Sequence, residues 1–150
     1  MIQMAYSAAL VAAVAFAGDF KATCPVSGGK AKEESKVEKD GKTIYFCCDN
    51  CPKKVEGDGA KKYTAQMNYQ LLETKQIKQV KCPFTGQKLD PETKTKVGKG
   101  AVEVAFCCDK CQGKVKDAKP AEQVNMVFKD IKKGFEAVKK EKTEEKKDAS

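Results

Sequence analysis

The residues of this chain best suited to chemistry are its eight cysteines, which divide into two sets of four in the same order. The sets follow the patterns Cys-x22-Cys-Cys-x2-Cys and Cys-x24-Cys-Cys-x2-Cys, and they comprise Cys24, Cys47, Cys48 and Cys51, then Cys82, Cys107, Cys108 and Cys111. Cysteine thiolates are soft ligands that bind Zn²⁺, Cu⁺ and heavier thiophilic ions. Because the chain has no histidine, mixed Cys/His zinc sites and His-dependent catalytic triads are excluded, and sulfur must dominate any metal site.

The two cysteine sets belong to an internal repeat. The pentapeptide Cys-Pro-Val-Ser-Gly at 24–28 recurs as Cys-Pro-Phe-Thr-Gly at 82–86, and Phe-Cys-Cys-Asp-x-Cys at 46–51 recurs at 106–111. The offset between copies is 58 residues at the first motif and 60 at the second, so the second copy has two more residues between its motifs. Such self-similarity predicts two tandem modules, residues 18–79 and 80–140, each with its own cysteine site.

Three kinds of element must position the cysteines in each module. A Cys-Pro-x-Ser/Thr-Gly turn comes first, since glycine permits a tight backbone. A β-hairpin follows, with arms at about 35–39 and 42–46 joined by Asp40-Gly41, a type I′ turn signal, and at about 93–97 and 101–106 in the second copy. The second strand then leads into a short helix that Asp49 or Asp109 is suited to cap. We therefore predict an α+β fold of two tandem, treble-clef-like modules.

The spacing of the cysteines leaves their coordination number open. Neighbouring residues of an extended strand point to opposite faces, so we expect Cys24, Cys47 and Cys51 to be the primary ligands of the first module. Cys48 would be a fourth ligand or a companion thiol, and the second module would follow the same rule. Four thiolates would close a structural zinc site. Three would leave a position for transfer or capture of Cu⁺, Zn²⁺ or a toxic soft ion, one ion per module.

The cysteine motifs resemble a known family. Cys24 followed by Cys47-x3-Cys51, and Cys82 followed by Cys107-x3-Cys111, are similar to the TRASH domain, a treble-clef module associated with heavy-metal trafficking, resistance and sensing. The Cys-Pro-x-Ser/Thr-Gly openings and the aromatic residue before Cys47 also resemble the YHS domain. The resemblance covers roughly residues 21–55 and 79–115. It implies a metal-binding role, although Ser27 and Thr85 stand where a two-cysteine knuckle would have its second cysteine.

A longer amphipathic helix is predicted at the end of each module. Apolar residues recur at helical spacing in both copies, namely Tyr63, Met67 and Leu71, then Val124, Val127, Phe128, Ile131, Phe135 and Val138. Pro120 suits the first turn of the second helix. We expect these stripes to face the core and residues 141–150 to form a charged tail.

The beginning of the chain predicts export. Residues 1–17 have no charged side chain, and their apolar run ends in Ala15-Phe16-Ala17, the small-x-small pattern of a signal peptide, with cleavage expected after Ala17. The run is too short for a stable membrane span. We therefore expect a periplasmic or secreted protein, whose thiols must be paired with each other, bound to metal or redox-active.

Three rival functions follow from the same features. Each set could form two disulfides, and one bridge across a loop of about 25 residues would stabilise a small secreted protein by roughly 3 kcal/mol. Cys48-x2-Cys51 and Cys108-x2-Cys111 are formal redox motifs, but no βαβ pattern accompanies them, so we expect no enzyme.

The net charge of +8 comes from lysines interspersed with acids, without arginine, which favours a solvated surface over nucleic-acid binding. The expected partners are a metal ion and a protein that donates or accepts it.

Overall fold

The computed structural model describes residues 20–100 and 102–138. The predicted signal peptide and charged tail lie outside these residues. The described part folds into five helices and three two-stranded sheets, which confirms the predicted α+β class. In chain order the elements are β1 (Lys32–Lys39), β2 (Lys42–Phe46), α1 (Asn50–Lys54), α2 (Gly59–Lys62), α3 (Thr64–Glu73), β3 (Ile77–Gln79), β4 (Asp90–Val97), β5 (Val102–Phe106), α4 (Asp109–Lys116), α5 (Pro120–Phe128) and β6 (Phe135–Ala137).

Both predicted hairpins are present, and both have the same irregularity. Strand β1 pairs antiparallel with β2, and β4 pairs antiparallel with β5. Asp40 and Gly41 have φ angles of 53° and 73°, as a type I′ turn requires. The register shifts between Lys32 and Lys36 in one hairpin and at the corresponding place in the other. A bulge of this kind bends a strand. Beyond it the first strand pairs again with the end of the second, with Lys32 opposite Phe46 and Asp90 opposite Phe106, directly before the cysteines.

The predicted long helix of the second module is wrong beyond Phe128. Helix α5 begins at Pro120, as expected, but it ends at Phe128, and Phe135 belongs to strand β6. The carbonyl of Gly134 accepts hydrogen bonds from the backbone N–H groups of Val80 and Lys81. A side chain at Gly134 would approach the Lys81 carbonyl to 2.8 Å. Pairing of β6 with β3 in the preceding module therefore overrides the helical spacing.

The predicted caps of the short helices are also wrong. Asp49 precedes α1, but its carboxylate accepts a hydrogen bond from the Ser35 hydroxyl at 2.8 Å and does not cap the helix. Asp109 is already the first residue of α4, and Cys108 stands at the N-cap. Tyr63 likewise precedes α3 instead of joining its apolar stripe, and the helix buries Ala65, Tyr69, Gln70 and Leu71.

The two repeats pack against each other through their later elements. Helix α3 of the first repeat packs on α5 of the second. The Tyr69 ring meets the Phe128 ring edge-to-face, with centroids 5.4 Å apart, and Phe128 stacks on Phe135 at 5.2 Å. The Tyr69 hydroxyl donates to the Val97 carbonyl and accepts from the Gly100 N–H. Together with the β3–β6 pair, these contacts give the repeats a common core.

Three glutamine side chains pair with the free edges of the strands that lead to the cysteines. Gln70 is fully buried; its Oε1 accepts from the Tyr45 N–H at 2.7 Å and its Nε2 donates to the Tyr45 carbonyl at 2.6 Å. Gln76 bonds in the same way to Thr43, and Gln79 to Ala105. Each side-chain amide thus makes the pair of hydrogen bonds that a neighbouring strand would make, and it satisfies backbone groups that would otherwise be unpaired. These bonds hold β2 and β5 in place immediately before the cysteine clusters.

Among the described residues, none of the helices combines the length and the apolar character needed to cross a lipid bilayer.

Candidate metal centre

A tight turn presents the first cysteine of each module. The Cys24 carbonyl accepts from the Gly28 N–H at 2.9 Å, while the Cys24 N–H donates to the Gly29 carbonyl at 2.7 Å. Gly28 has a φ of 71°, a left-handed value that favours glycine. The turn at Cys82 repeats this geometry, and both Cys24 and Cys82 are almost fully buried.

The junction between strand and helix presents the remaining cysteines. Cys47 directly follows β2, and Cys51 lies in the first turn of α1, four residues later. The bend between the strand and the helix brings the two side chains together, 3.5 Å apart between sulfurs. In the second module the sulfurs of Cys107 and Cys111 are 3.8 Å apart. The hairpin therefore brings distant parts of the sequence to the turn that holds the first cysteine.

Each module gathers three thiols into one cluster. The sulfurs of Cys24, Cys47 and Cys51 all lie within 4.8 Å of one another, and so do those of the corresponding cluster, Cys82, Cys107 and Cys111. An ion with metal–sulfur bonds of about 2.3 Å would hold its sulfurs roughly 3.8–4 Å apart. These are the residues that we expected to be primary ligands, and they lie close enough together to hold a metal ion.

The fourth cysteine of each module lies beside the cluster and outside it. The Cys48 sulfur is 3.9 Å from that of Cys47 and 3.4 Å from that of Cys51, and the residue is exposed. The Cys108 sulfur is 3.7 Å from that of Cys107 and is partly exposed. All eight cysteines are free thiols. Their sulfurs lie well beyond the bonded distance of about 2.05 Å in a disulfide.

A hydroxyl group lies beside the sulfurs of each cluster. Ser27 Oγ donates to the Cys47 sulfur at 3.2 Å, and Thr85 Oγ1 donates to the Cys107 sulfur at the same distance. Ser27 and Thr85 occupy the position at which a two-cysteine knuckle would have its second cysteine. The sequence shows the departure from that pattern, but the hydrogen bond to sulfur becomes evident only from the fold.

The environment of the thiols lowers some pKa values and raises others. Burial acts to raise the pKa of Cys24, but hydrogen bonds, chiefly from the N–H and hydroxyl of Ser27, lower it to about 7. Cys82 is likewise held at about 7, with Thr85 as the main donor. Burial, followed by hydrogen bonding to Cys48, raises the pKa of Cys51. Each cluster therefore favours a thiolate at the buried turn and a neutral thiol on the helix, a mixture that hydrogen bonds between the groups stabilise.

The Ser27 hydroxyl gives a direct test of this environment. In the metal-free protein, Ser27→Ala should move the pKa of Cys24 from about 7 upward, toward the ordinary 9.0, because a donor to the thiolate is lost. Thiolate absorbance followed against pH would measure the change. Ser35→Ala is the matched control, since the Ser35 hydroxyl donates to Asp49 and contacts no sulfur. Unchanged titration in Ser27→Ala would show that backbone donors alone set this pKa.

No protein-family model, curated protein or solved structure matches the chain.

Proposed function

We propose that this protein binds thiophilic metal ions, one in each cysteine cluster, and does so without catalysis. One observation carries the proposal: in both repeats, a buried turn and a strand–helix junction bring three thiols within 4.8 Å of one another. The donor set contains no imidazole or carboxylate and is therefore selective for soft ions such as Cu⁺, Zn²⁺ or a heavy metal.

The exposure of the clusters favours handling of ions over permanent structural use. Three thiolates leave a coordination position open, whereas structural zinc sites are closed by four protein ligands. Cys47 and Cys107 are only partly buried, so a small ligand or another protein can approach the sulfurs. The resemblance of the motifs to TRASH and YHS domains supports trafficking or resistance. The predicted signal peptide supports a periplasmic or secreted setting, where the chain would take ions from a donor protein or pass them to an acceptor.

A disulfide-stapled protein is the second candidate. The specific observation in its favour is that the Cys51 sulfur lies 3.5 Å from Cys47 and 3.4 Å from Cys48, so small movements would bring either pair to bonding distance. Oxidation in an exported protein would then replace the metal-binding form. The two candidates predict opposite states for the cysteines of the purified protein.

Elemental analysis combined with thiol titration distinguishes these candidates. We expect protein purified without chelator to hold about two metal ions per chain, one for each cluster, with thiols that react slowly until a chelator removes the metal. The control is the same protein unfolded in denaturant, where every reduced thiol reacts. Metal-free protein with eight oxidised cysteines would contradict the proposal and favour the disulfide-stapled alternative.

A further inference from the structure

The four sulfurs of the first module form two triangles that share an edge. The inner triangle is the cluster of Cys24, Cys47 and Cys51. The outer triangle consists of Cys47, Cys48 and Cys51, with sulfur–sulfur distances of 3.9, 3.4 and 3.5 Å. The edge between Cys47 and Cys51 belongs to both. An ion could therefore be held by three thiols on either side of this edge.

The two triangles differ in their access to solvent. Cys24, the third corner of the inner triangle, is only 1% exposed, whereas Cys48, the third corner of the outer triangle, is exposed. Of the two shared residues, Cys51 is buried and Cys47 is partly buried. The sulfurs are thus arranged in order of increasing depth, from the surface to the turn that holds Cys24.

We infer that Cys48 and Cys108 are entry thiols, through which a soft ion reaches and leaves the inner cluster. This rests on the proposed metal binding. The ion first binds the outer triangle and then moves inward by exchange of one ligand: its bond to the Cys48 sulfur breaks as its bond to the Cys24 sulfur forms. One thiolate replaces another at the ion, so the step neither takes up nor releases a proton. Charge balances, no electron is transferred, and two thiolates hold the ion throughout.

The position of Cys48 argues for exchange and against a closed four-thiolate site. A tetrahedral ion needs all four sulfurs about equally far from one another, at roughly 3.8 Å. Cys48 is near Cys47 and Cys51 but does not belong to the mutually close cluster that contains Cys24. The second module has the same edge, with Cys107 lying 3.7 Å from Cys108 and 3.8 Å from Cys111. Because Cys108 is less exposed than Cys48, the second module should exchange ions more slowly.

The double variant Cys48→Ser/Cys108→Ser tests the inference by separating rates from affinity. An entry thiol lowers the barrier between the metal-free and the metal-loaded protein and leaves the free-energy difference between these two states unchanged. Loading with Cu⁺ supplied as a monothiol complex, and unloading to a chromophoric Cu⁺ chelator, should each slow by about tenfold or more, a barrier change of about 1.4 kcal/mol. The dissociation constant should stay within about threefold of the wild-type value. Cys48 is exposed and Cys108 is partly exposed, and substitution outside the buried core usually costs little stability.

The possible results each decide the question. Rates equal to those of the wild type would overturn this inference but leave the proposed metal binding intact. An affinity that falls by as much as the loading rate would do the same, since Cys48 and Cys108 would then be ordinary fourth ligands. Failure of the wild-type chain to take up Cu⁺ would overturn the proposed function and the inference with it. Ser35→Ala, a substitution near the same junction that removes no sulfur, should load and unload at wild-type rates.

Discussion

Replacement of Cys24 and Cys82 by serine is expected to reduce the bound metal from about two ions per chain to none, with an affinity at least about a hundredfold weaker. Each substitution removes the single sulfur that the turn contributes to its cluster. Loss of a group that merely orients a ligand already costs 10- to 100-fold in affinity, as an order of magnitude, so loss of a ligand should cost more. Competition with a chromophoric chelator, together with elemental analysis, measures both quantities.

The single variants sharpen this prediction. Cys24→Ser and Cys82→Ser should each retain about one ion per chain, because the clusters lie in separate repeats and share no sulfur. Both positions are almost fully buried, so far-ultraviolet circular dichroism must first show that each variant is folded. Retention of two tightly bound ions in the folded double variant would show that the ligands lie elsewhere in the chain. Loss of both ions in either single variant would indicate one shared site.

Local signals made much of the fold predictable from the sequence. Asp40-Gly41 indicates a tight turn wherever it lies between alternating strands, and the structure has the required positive φ at both residues. The end of α5 was not predictable in this way. Phe135 keeps the helical spacing of the preceding apolar residues, yet it belongs to a strand whose partner, β3, lies more than fifty residues earlier. Pairing over such a distance leaves no mark in the local periodicity.

The three-cysteine cluster was also predictable from local signals in the sequence. The repeat placed three cysteines in equivalent positions twice, and the alternation of side chains along a strand distinguished Cys47 from Cys48. The supporting hydrogen bonds could not be inferred, because they join side chains to distant backbone groups. Gln70 reads as an ordinary polar helix residue, but in the fold it is fully buried and bonded to Tyr45 and Thr23. The role of Ser27 likewise depends on where the hairpin places Cys47.

Phe128→Ala is expected to have the largest effect on stability, reducing the free energy of unfolding by about 3–5 kcal/mol. The ring is fully buried and contacts both Tyr69 and Phe135, so its removal leaves a cavity between the two repeats. Since small domains are stable by only about 5–15 kcal/mol, this loss is a large fraction of the total. Urea denaturation of the metal-free, reduced protein, followed by tyrosine fluorescence and by circular dichroism, measures it.

The same experiment determines whether the repeats unfold together. Phe128 belongs to the second repeat and Tyr69 to the first. If the core that they share stabilises both repeats, the protein should show one urea unfolding transition, and Phe128→Ala should shift all of it to lower urea concentration. Met126→Ala is the matched control: it lies on the same helix but is 40% exposed, and it should change the stability by no more than about 0.5 kcal/mol. Two transitions, with only the second displaced by Phe128→Ala, would show that each repeat holds its cysteine cluster on an independently stable scaffold. A single displaced transition would mean that the two repeats unfold as one cooperative unit, so that the strands preceding both cysteine clusters depend on the α3–α5 contact for their stability.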